Sequence, residues 1–419
     1  MEMKCDVLVV GAGPAGSSAA AASSAAGLKT IVVERKSEIG VPTTCAGAIG
    51  AYLLPYLPFK VPGGLLAHKI EGLEFNVEDI SYVRRGGPWS SYAIDRSAFD
   101  KWLAKRAVDS GAELIVSAEF VDATLNKTGG GGHAKIKKDD SIFSVEFKVL
   151  IGADGANSGV LEMLGERISD ARLGQAVVYE YEGVELESPD LDQLYFGDFA
   201  PGGYAHIFPL SNNRANIGVG TIDSNADIRQ CFQDFIALPR VISQLNNSTR
   251  TIEKSGTVSF ERLSMKRQYG SVLLAGEAAS QNIKPLVEGF LPAIICGDVA
   301  GKTAARHILK DEPLSLYQRN LNRKLGLILR ESDKLTGLLE DISDLRGRKS
   351  YLLLSGLCGN LISPAAVSKL FQGDEETIVT HLVSWNKSRL KQFLLNTSER
   401  LAIFFLHTQA AINGKIYKL

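Results

Sequence analysis

Short, fully apolar runs and longer alternating or helical patterns divide the chain into three stretches. Val7–Val10 and residues 31–33 are apolar throughout, as expected of strands covered on both faces of a parallel sheet. Between them lies an Ala/Ser run, residues 17–26, whose small side chains suit a helix lying close on such a sheet. Residues 52–66 are Pro-rich and apolar without a period, and do not read as regular core. Residues 70–84 alternate like strands, residues 94–107 open a helix by their apolar spacing, and residues 111–116 read as a third parallel-type strand. A meander turning at 129–132 leads into Val149-Leu-Ile-Gly-Ala-Asp-Gly-Ala-Asn-Ser158. Residues 172–265 are dominated by β-type alternation and predict an antiparallel sheet forming a second domain. Residues 271–279 return to a buried strand and turn. From Leu314 the pattern is helical and amphipathic, with basic residues between apolar ones as far as Lys391.

Composition narrows the function classes. The 419 residues include 46 basic and 47 acidic side chains, a net charge of −1, and no dense Lys/Arg stripe, which argues against nucleic acid. No apolar run is long enough to span a bilayer, and the first strand begins near Cys5, leaving no room for a cleavable signal. The expected location is the cytoplasm, or the cytoplasmic face of a membrane. Cys5, Cys45, Cys231, Cys296 and Cys358 form no CxxC, and the six histidines form no ligand spacing, so neither a metal nor an iron–sulfur cluster is expected.

The strongest chemical signal is Gly11-Ala-Gly-Pro-Ala-Gly16, set between a strand and a helix, with Glu34 closing the next strand. Gly11 permits the tight turn, Gly13 lets a pyrophosphate approach the backbone, and Gly16 lets the helix pack closely. The helix then aims its free N–H groups and positive end at the phosphates. Glu34 can accept both ribose hydroxyls and disfavours a phosphorylated ribose, so FAD or NAD is expected ahead of NADP.

Four further segments carry a resemblance. They are Gly152-Ala-Asp-Gly-Ala-Asn-Ser158, Leu273-Leu-Ala-Gly-Glu-Ala-Ala279, Pro285-Leu-Val-Glu-Gly-Phe-Leu-Pro-Ala-Ile-Ile-Cys-Gly297, and Pro201-Gly-Gly-Tyr-Ala-His-Ile-Phe-Pro209 with its neighbour Arg214–Gly220. Together with Arg96 before Phe-Asp and Cys45 in Cys-Ala-Gly-Ala, they resemble the geranylgeranyl reductase family, within the glutathione-reductase-type FAD enzymes that also include the aromatic hydroxylases. Four positions depart from the family pattern: Glu277 replaces an aspartate, Val287 a glycine, His206 a tryptophan, and the Cys45 loop lacks a glutamate.

The resemblance implies an α/β fold: an FAD-binding Rossmann-like domain of the glutathione-reductase/aromatic-hydroxylase type, an antiparallel-sheet substrate domain and a helical C-terminal region. The expected division is 1–70, 95–170 and 265–312 for FAD, 71–94 and 171–264 for substrate, and 313–419 for the helical region. The implied FAD contacts are Gly11, Gly13, Ala15, Gly16, Glu34, Cys45, Ala46, Ala48, Arg96, Val121, Glu277, Gly289 and Phe290. Tyr204, His206, Phe208 and Pro209 would line an apolar tunnel, with Cys45 and His206 as candidate catalytic groups and a reversible Cys45–Cys296 pair as a further expectation.

The implied activity is FAD-dependent reduction of isolated C=C bonds in a polyprenyl lipid or prenyl quinone. No second GxGxxG occurs, so electrons would come from a ferredoxin-like carrier or a transiently bound NAD(P)H. The tail and residues 52–66 are candidates for peripheral membrane contact. The alternatives are a monooxygenase or halogenase sharing the FAD segments, and a flavin-binding paralogue with altered activity.

Overall fold

Five short strands form the parallel centre of the molecule. Val272–Leu274, Val149–Gly152, Val7–Val10, Thr30–Val33 and Glu113–Ile115 lie side by side in that order, with Gln268–Tyr269 antiparallel at one edge. Their residues are almost wholly buried because helices cover one face and a four-stranded sheet, Glu2–Lys4, Ser141–Phe147, Gly132–Lys138 and Ala118–Leu125, covers the other, which is why the sequence shows continuous apolar runs rather than alternation. The computed structural model describes residues 2–43, 45–126, 130–261, 266–284 and 286–343, with Gly347, Tyr351, Leu354, Ser355 and Cys358 beyond them.

Two helices set the geometry of the covered face. Pro14–Ala25 crosses Phe290–Lys310 where a Cβ on Gly297 would stand 2.0 Å from Ala15 O, and one on Gly301 2.2 Å from Ala19 O. Such backbone proximity requires glycine on one helix and Ala or Ser on the other. Ser18 Oγ then donates to Ile294 O at 2.8 Å across the same contact. The helix Arg96–Asp109 lies beside them, opened by Asp95, whose side chain accepts from Ala98 N.

A further, larger sheet forms the side expected to hold substrate. Its seven strands run in the order Thr249–Ser259, Leu173–Glu182, Arg214–Thr221, Tyr204–Ser211, Leu191–Tyr195, Gly72–Val77 and Ile80–Arg85. Every neighbouring pair is antiparallel except Leu191–Tyr195 with Gly72–Val77, which run parallel because the segments come from distant parts of the chain. The stretch read as dominated by β alternation also holds two helices, Ile228–Ile236 and Pro239–Leu245. Asp227 caps the first through Arg229 N and Gln230 N, and Phe232 and Phe235 bury themselves against Tyr179 and Tyr195. These helices cover one face of the sheet and leave the other toward the parallel core.

The Pro-rich segment is also more ordered than its sequence pattern predicts. It folds into single turns, Ala51–Tyr56 and Gly63–Leu65, with Leu53 fully buried and Phe59 against Trp102 at 5.1 Å. Most of its apolar side chains pack on the core, which weakens the expectation that they meet a membrane. The helix Leu316–Ser343 buries Tyr317, Leu321, Leu325 and Leu329 at four-residue spacing. The helical pattern predicted to continue to Lys391 falls mainly outside the described residues. Within them, no helix is long and apolar enough to cross a membrane.

Candidate active site

The nucleotide end of the site is built from backbone. Gly11 ends the strand Val7–Val10 at φ +94°, and a Cβ there would stand 2.5 Å from Ala153 O. The two glycine turns are thus in direct contact, a proximity that their separation in sequence conceals. A Cβ on Gly16 would meet Gly11 O at 1.8 Å, so Gly16 serves close packing of the helix on the turn. Gly13 caps Pro14–Ala25 without any side-chain bond, and the space at its Cβ position is open. The first-turn N–H groups and the positive helix end are therefore left available to an anion. Beside them Glu34 accepts from Ala12 N at 2.8 Å and from Lys36 N at 2.9 Å, with carboxylate lone pairs to spare.

From this turn one cavity of about 980 Å³ runs to the uncovered face of the seven-stranded sheet. Of the predicted cofactor residues, Gly11, Gly13, Ala15, Glu34, Cys45, Ala46, Ala48, Arg96, Glu277, Gly289 and Phe290 line it. Gly16 stands behind the wall, as its packing role requires. Val121 does not belong to the wall either: it forms a bulge between Phe120 and Asp122, its side chain is 49% exposed, and the wall is made by Ala118, Glu119 and Phe120. A period-two strand turns that side chain outward.

Arg96 is held in the middle of the cavity. Its guanidinium pairs with Asp100 at 3.0 Å and lies over the Phe290 ring at 4.2 Å. Burial disfavours its charge, but Asp100 and the nearby Cys45 sulfur outweigh that and hold it firmly protonated. The Cys45 loop is pinned by Asn216 Nδ2 donating to Cys45 O at 3.3 Å. Cys296, by contrast, is fully buried inside its helix and does not line the cavity, and burial pushes its thiol up to about 12. The structure therefore does not bring Cys296 to the Cys45 wall, and the expected redox pair has no geometric support; Cys358 lines the cavity instead.

The loop before Gly289 is closed by a pair of backbone bonds between Ile283 and Glu288, both 2.9 Å. Glu288, which sequence reasoning passed over, accepts from Gly50 N at 2.7 Å and from Tyr52 OH at 2.9 Å, and burial raises its carboxyl above the usual range. Glu277 is likewise engaged by the protein: Asn282 Nδ2 donates to Oε1 at 2.7 Å and Ser259 N to Oε2 at 3.1 Å. Its longer side chain reaches these donors, and its Oε1 would meet a Cβ on Gly289 at 2.9 Å, so only glycine fits beside it.

Tyr204, His206 and Phe208 share the cavity face of their strand, whereas Ala205 and Ile207 enter the core beneath the two helices. Pro209, expected among the tunnel residues, continues the second set and is not in the wall. Tyr204 OH donates to Leu286 O at 2.8 Å, tying the sheet to the Gly289 loop. His206 is 5% exposed, 4.3 Å from the Phe208 ring, and burial pushes its imidazole down to about 3 against the opposing pull of Asn216. It is neutral at physiological pH, which removes the imidazolium needed for a His206 acid. On the adjacent strand, Asp192 also lines the wall. Its strand, Leu-Asp-Gln-Leu-Tyr, is of mixed polarity, so nothing in the sequence marks it.

The turns, the acid at 34 and the continuous cavity fit FAD, and they define an FAD-dependent oxidoreductase. Residues 6–161 match the family model for FAD-dependent oxidoreductases, and residues 173–258 match that for the geranylgeranyl reductase catalytic domain. The chain is 34% identical to digeranylgeranylglycerophospholipid reductase 1 of Methanopyrus kandleri over 85% of this chain and 98% of that one. It is 30% identical to reductase 2 of the same organism, covering 82% of this chain and 88% of the relative. A solved geranylgeranyl bacteriochlorophyll reductase-like protein of Thermoplasma acidophilum shares the fold, with a TM-score of 0.75 and 23% identity over 98% of this chain and all of the other. The chain belongs to the geranylgeranyl reductase family.

Proposed function

We propose that this chain hydrogenates isolated C=C bonds in the geranylgeranyl chains of a glycerophospholipid. The observation that carries the reading is the single cavity, which joins the Gly11 turn to a wall of Leu73, Leu194, Phe196, Phe208 and Leu354. An apolar chain would be dehydrated along such a wall, as a long polyprenyl tail requires. Reduced FAD, when bound, supplies a hydride. An isolated alkene is a poor hydride acceptor, so the wall must hold it aligned and dry. Tyr204 and Phe208 would position the chain from the sheet side, while Gly289 and the N-terminus of Phe290–Lys310 favour negative charge at the opposite edge. Cys45, Ala46 and Ala48 would border the flavin ring, and Arg96 would act from its clamp on Asp100.

The electron donor is external: a ferredoxin-like carrier or a transiently bound NAD(P)H. The substrate would be met at a membrane surface through peripheral contact. Anaerobic incubation of the dithionite-reduced holoprotein with digeranylgeranylglycerophospholipid tests the main reading. A gain of two mass units for each bond reduced supports it; unchanged lipid, or oxygen incorporation in air, refutes it. Flotation with lipid vesicles tests the membrane contact.

A further inference from the structure

We propose that Asp192 is the acid of this reaction, giving its proton to the alkene carbon next to the one that receives the hydride; the proposal rests on the alkene-reductase reading above. Asp192 is 3% exposed and forms part of the cavity wall. Its Oδ2 accepts from Ser91 Oγ at 2.6 Å, and its Oδ1 has no hydrogen-bond partner. The other buried carboxyls of the wall are fully engaged. Glu277 and Glu288 each have both oxygens bonded by protein donors, Asp154 is bonded by Ser158 Oγ and Val160 N, and Asp100 holds Arg96. Asp192 alone among them keeps an oxygen to spare.

Its place in the fold puts it on the substrate side. Asp192 and Leu194 share a strand with a two-residue offset, and Leu194 pairs directly with His206. Phe208 therefore stands across from Asp192, and the acid lies at the edge of the Tyr204–His206–Phe208 face. Ser91, which holds it, pairs with Gly50, and Gly50 N donates to Glu288 beside Gly289. Ser91 and Gly50 thus link the acid to the loop expected under the flavin. Tyr204 lines the same cavity as Cys45, Glu288, Asp192 and Cys358. On the same sheet face Arg84 lies one strand beyond Leu73, over the Trp89 ring at 4.5 Å.

The chemistry balances. The alkene π bond is lost, one carbon gains a C–H from the hydride of reduced FAD, and the other gains a C–H as the Asp192 O–H breaks. The alkene takes up two electrons, FAD loses two, and the Asp192 carboxylate regains a proton from water between turnovers. Burial pushes Asp192 up to about 7, with the Ser91 bond pulling the other way, so the group can both hold and reload its proton near neutrality. The neutral, buried His206 is unsuited to the task.

The test uses reduced holoprotein, digeranylgeranylglycerophospholipid and a fully saturated analogue. Asp192→Asn is expected to slow single-turnover alkene reduction by about 100-fold or more. Its FAD spectrum and its binding of the saturated lipid, read by flavin fluorescence, should be unchanged, and Asp192→Glu should recover part of the rate. Infrared difference spectra should show a protonated-carboxyl band in the wild type that Asp192→Asn lacks, independently of turnover. Ser91→Ala removes the bond that favours the ionised form, so the alkaline fall of the rate should move to higher pH. A wild-type rate in Asp192→Asn, equal loss of saturated-lipid binding and rate, or identical carboxyl bands would each overturn the proposal. A wild type that reduces no polyprenyl bond overturns the reading beneath it, and the proposal with it.

Discussion

Val287 is held at φ +55°, a left-handed conformation that a β-branched side chain adopts only under constraint. The constraint is visible in its neighbours: the Ile283–Glu288 backbone pair, and Glu288 fixed by Gly50 and Tyr52. Replacing Val287 with glycine relieves strain of about 1–3 kcal/mol but frees the unfolded chain, so the net expected gain is about 1 kcal/mol. Thermal unfolding of the holoprotein checks this, and a lowered melting temperature would refute it. His206 offers a second test. Its folded pKa of about 3 lies below its ordinary value of 6.5, so the unfolded chain takes up the proton first as pH falls. Stability present above pH 6.5 should therefore drain away between about 6.5 and about 3. His206→Phe should flatten that part of the stability curve, measured by melts across the window.

At the scale of elements, the contact between Pro14–Ala25 and Phe290–Lys310 carries the cofactor end of the site. A methyl on Gly297 would collide with Ala15 O, a backbone atom that cannot turn aside. Gly297→Ala should destabilise by about 2–3 kcal/mol and lower FAD occupancy, because the first helix aims its N–H groups from that position. Calorimetry and the flavin absorbance of purified protein measure the two effects. This region was legible in the sequence because the Gly11–Gly16 turn is local: the motif dictates its own backbone. Tyr204, His206 and Phe208 were legible through the family resemblance of their strand; period two explains why Pro209 falls outside the wall, and the bulge at Val121 why that residue does. Glu288 and Asp192 were not legible, since their meaning comes from Gly50 and Ser91, about 240 and 100 residues away. The helices Ile228–Ile236 and Pro239–Leu245 were hidden by the β-rich sequence around them, although Asp227 and the Phe232/Phe235 spacing mark the first.

Across the whole molecule, the cavity proposed to hold cofactor and substrate has walls that come from separate sheets. The parallel sheet supplies the Gly11 turn, the Gly289 loop supplies the middle, and the seven-stranded sheet supplies the apolar far wall. A residue on that far wall can therefore be altered without touching the nucleotide end. Gly220 pairs with Tyr204 and Ala176, lines the cavity, and has its nearest neighbour, Gln175 O, 3.8 Å from where a Cβ would stand. Gly220→Ala should behave as wild type. Gly220→Phe should fold and keep its FAD, while its ring fills space beside Tyr204 that a long chain must occupy. The expected result is a fall of about tenfold or more in kcat/KM for geranylgeranyl lipid, with a smaller loss for a short prenyl substrate. Competition between the two substrates, read by mass spectrometry, measures the ratio. Equal losses for both would mean that the chain does not run along this wall.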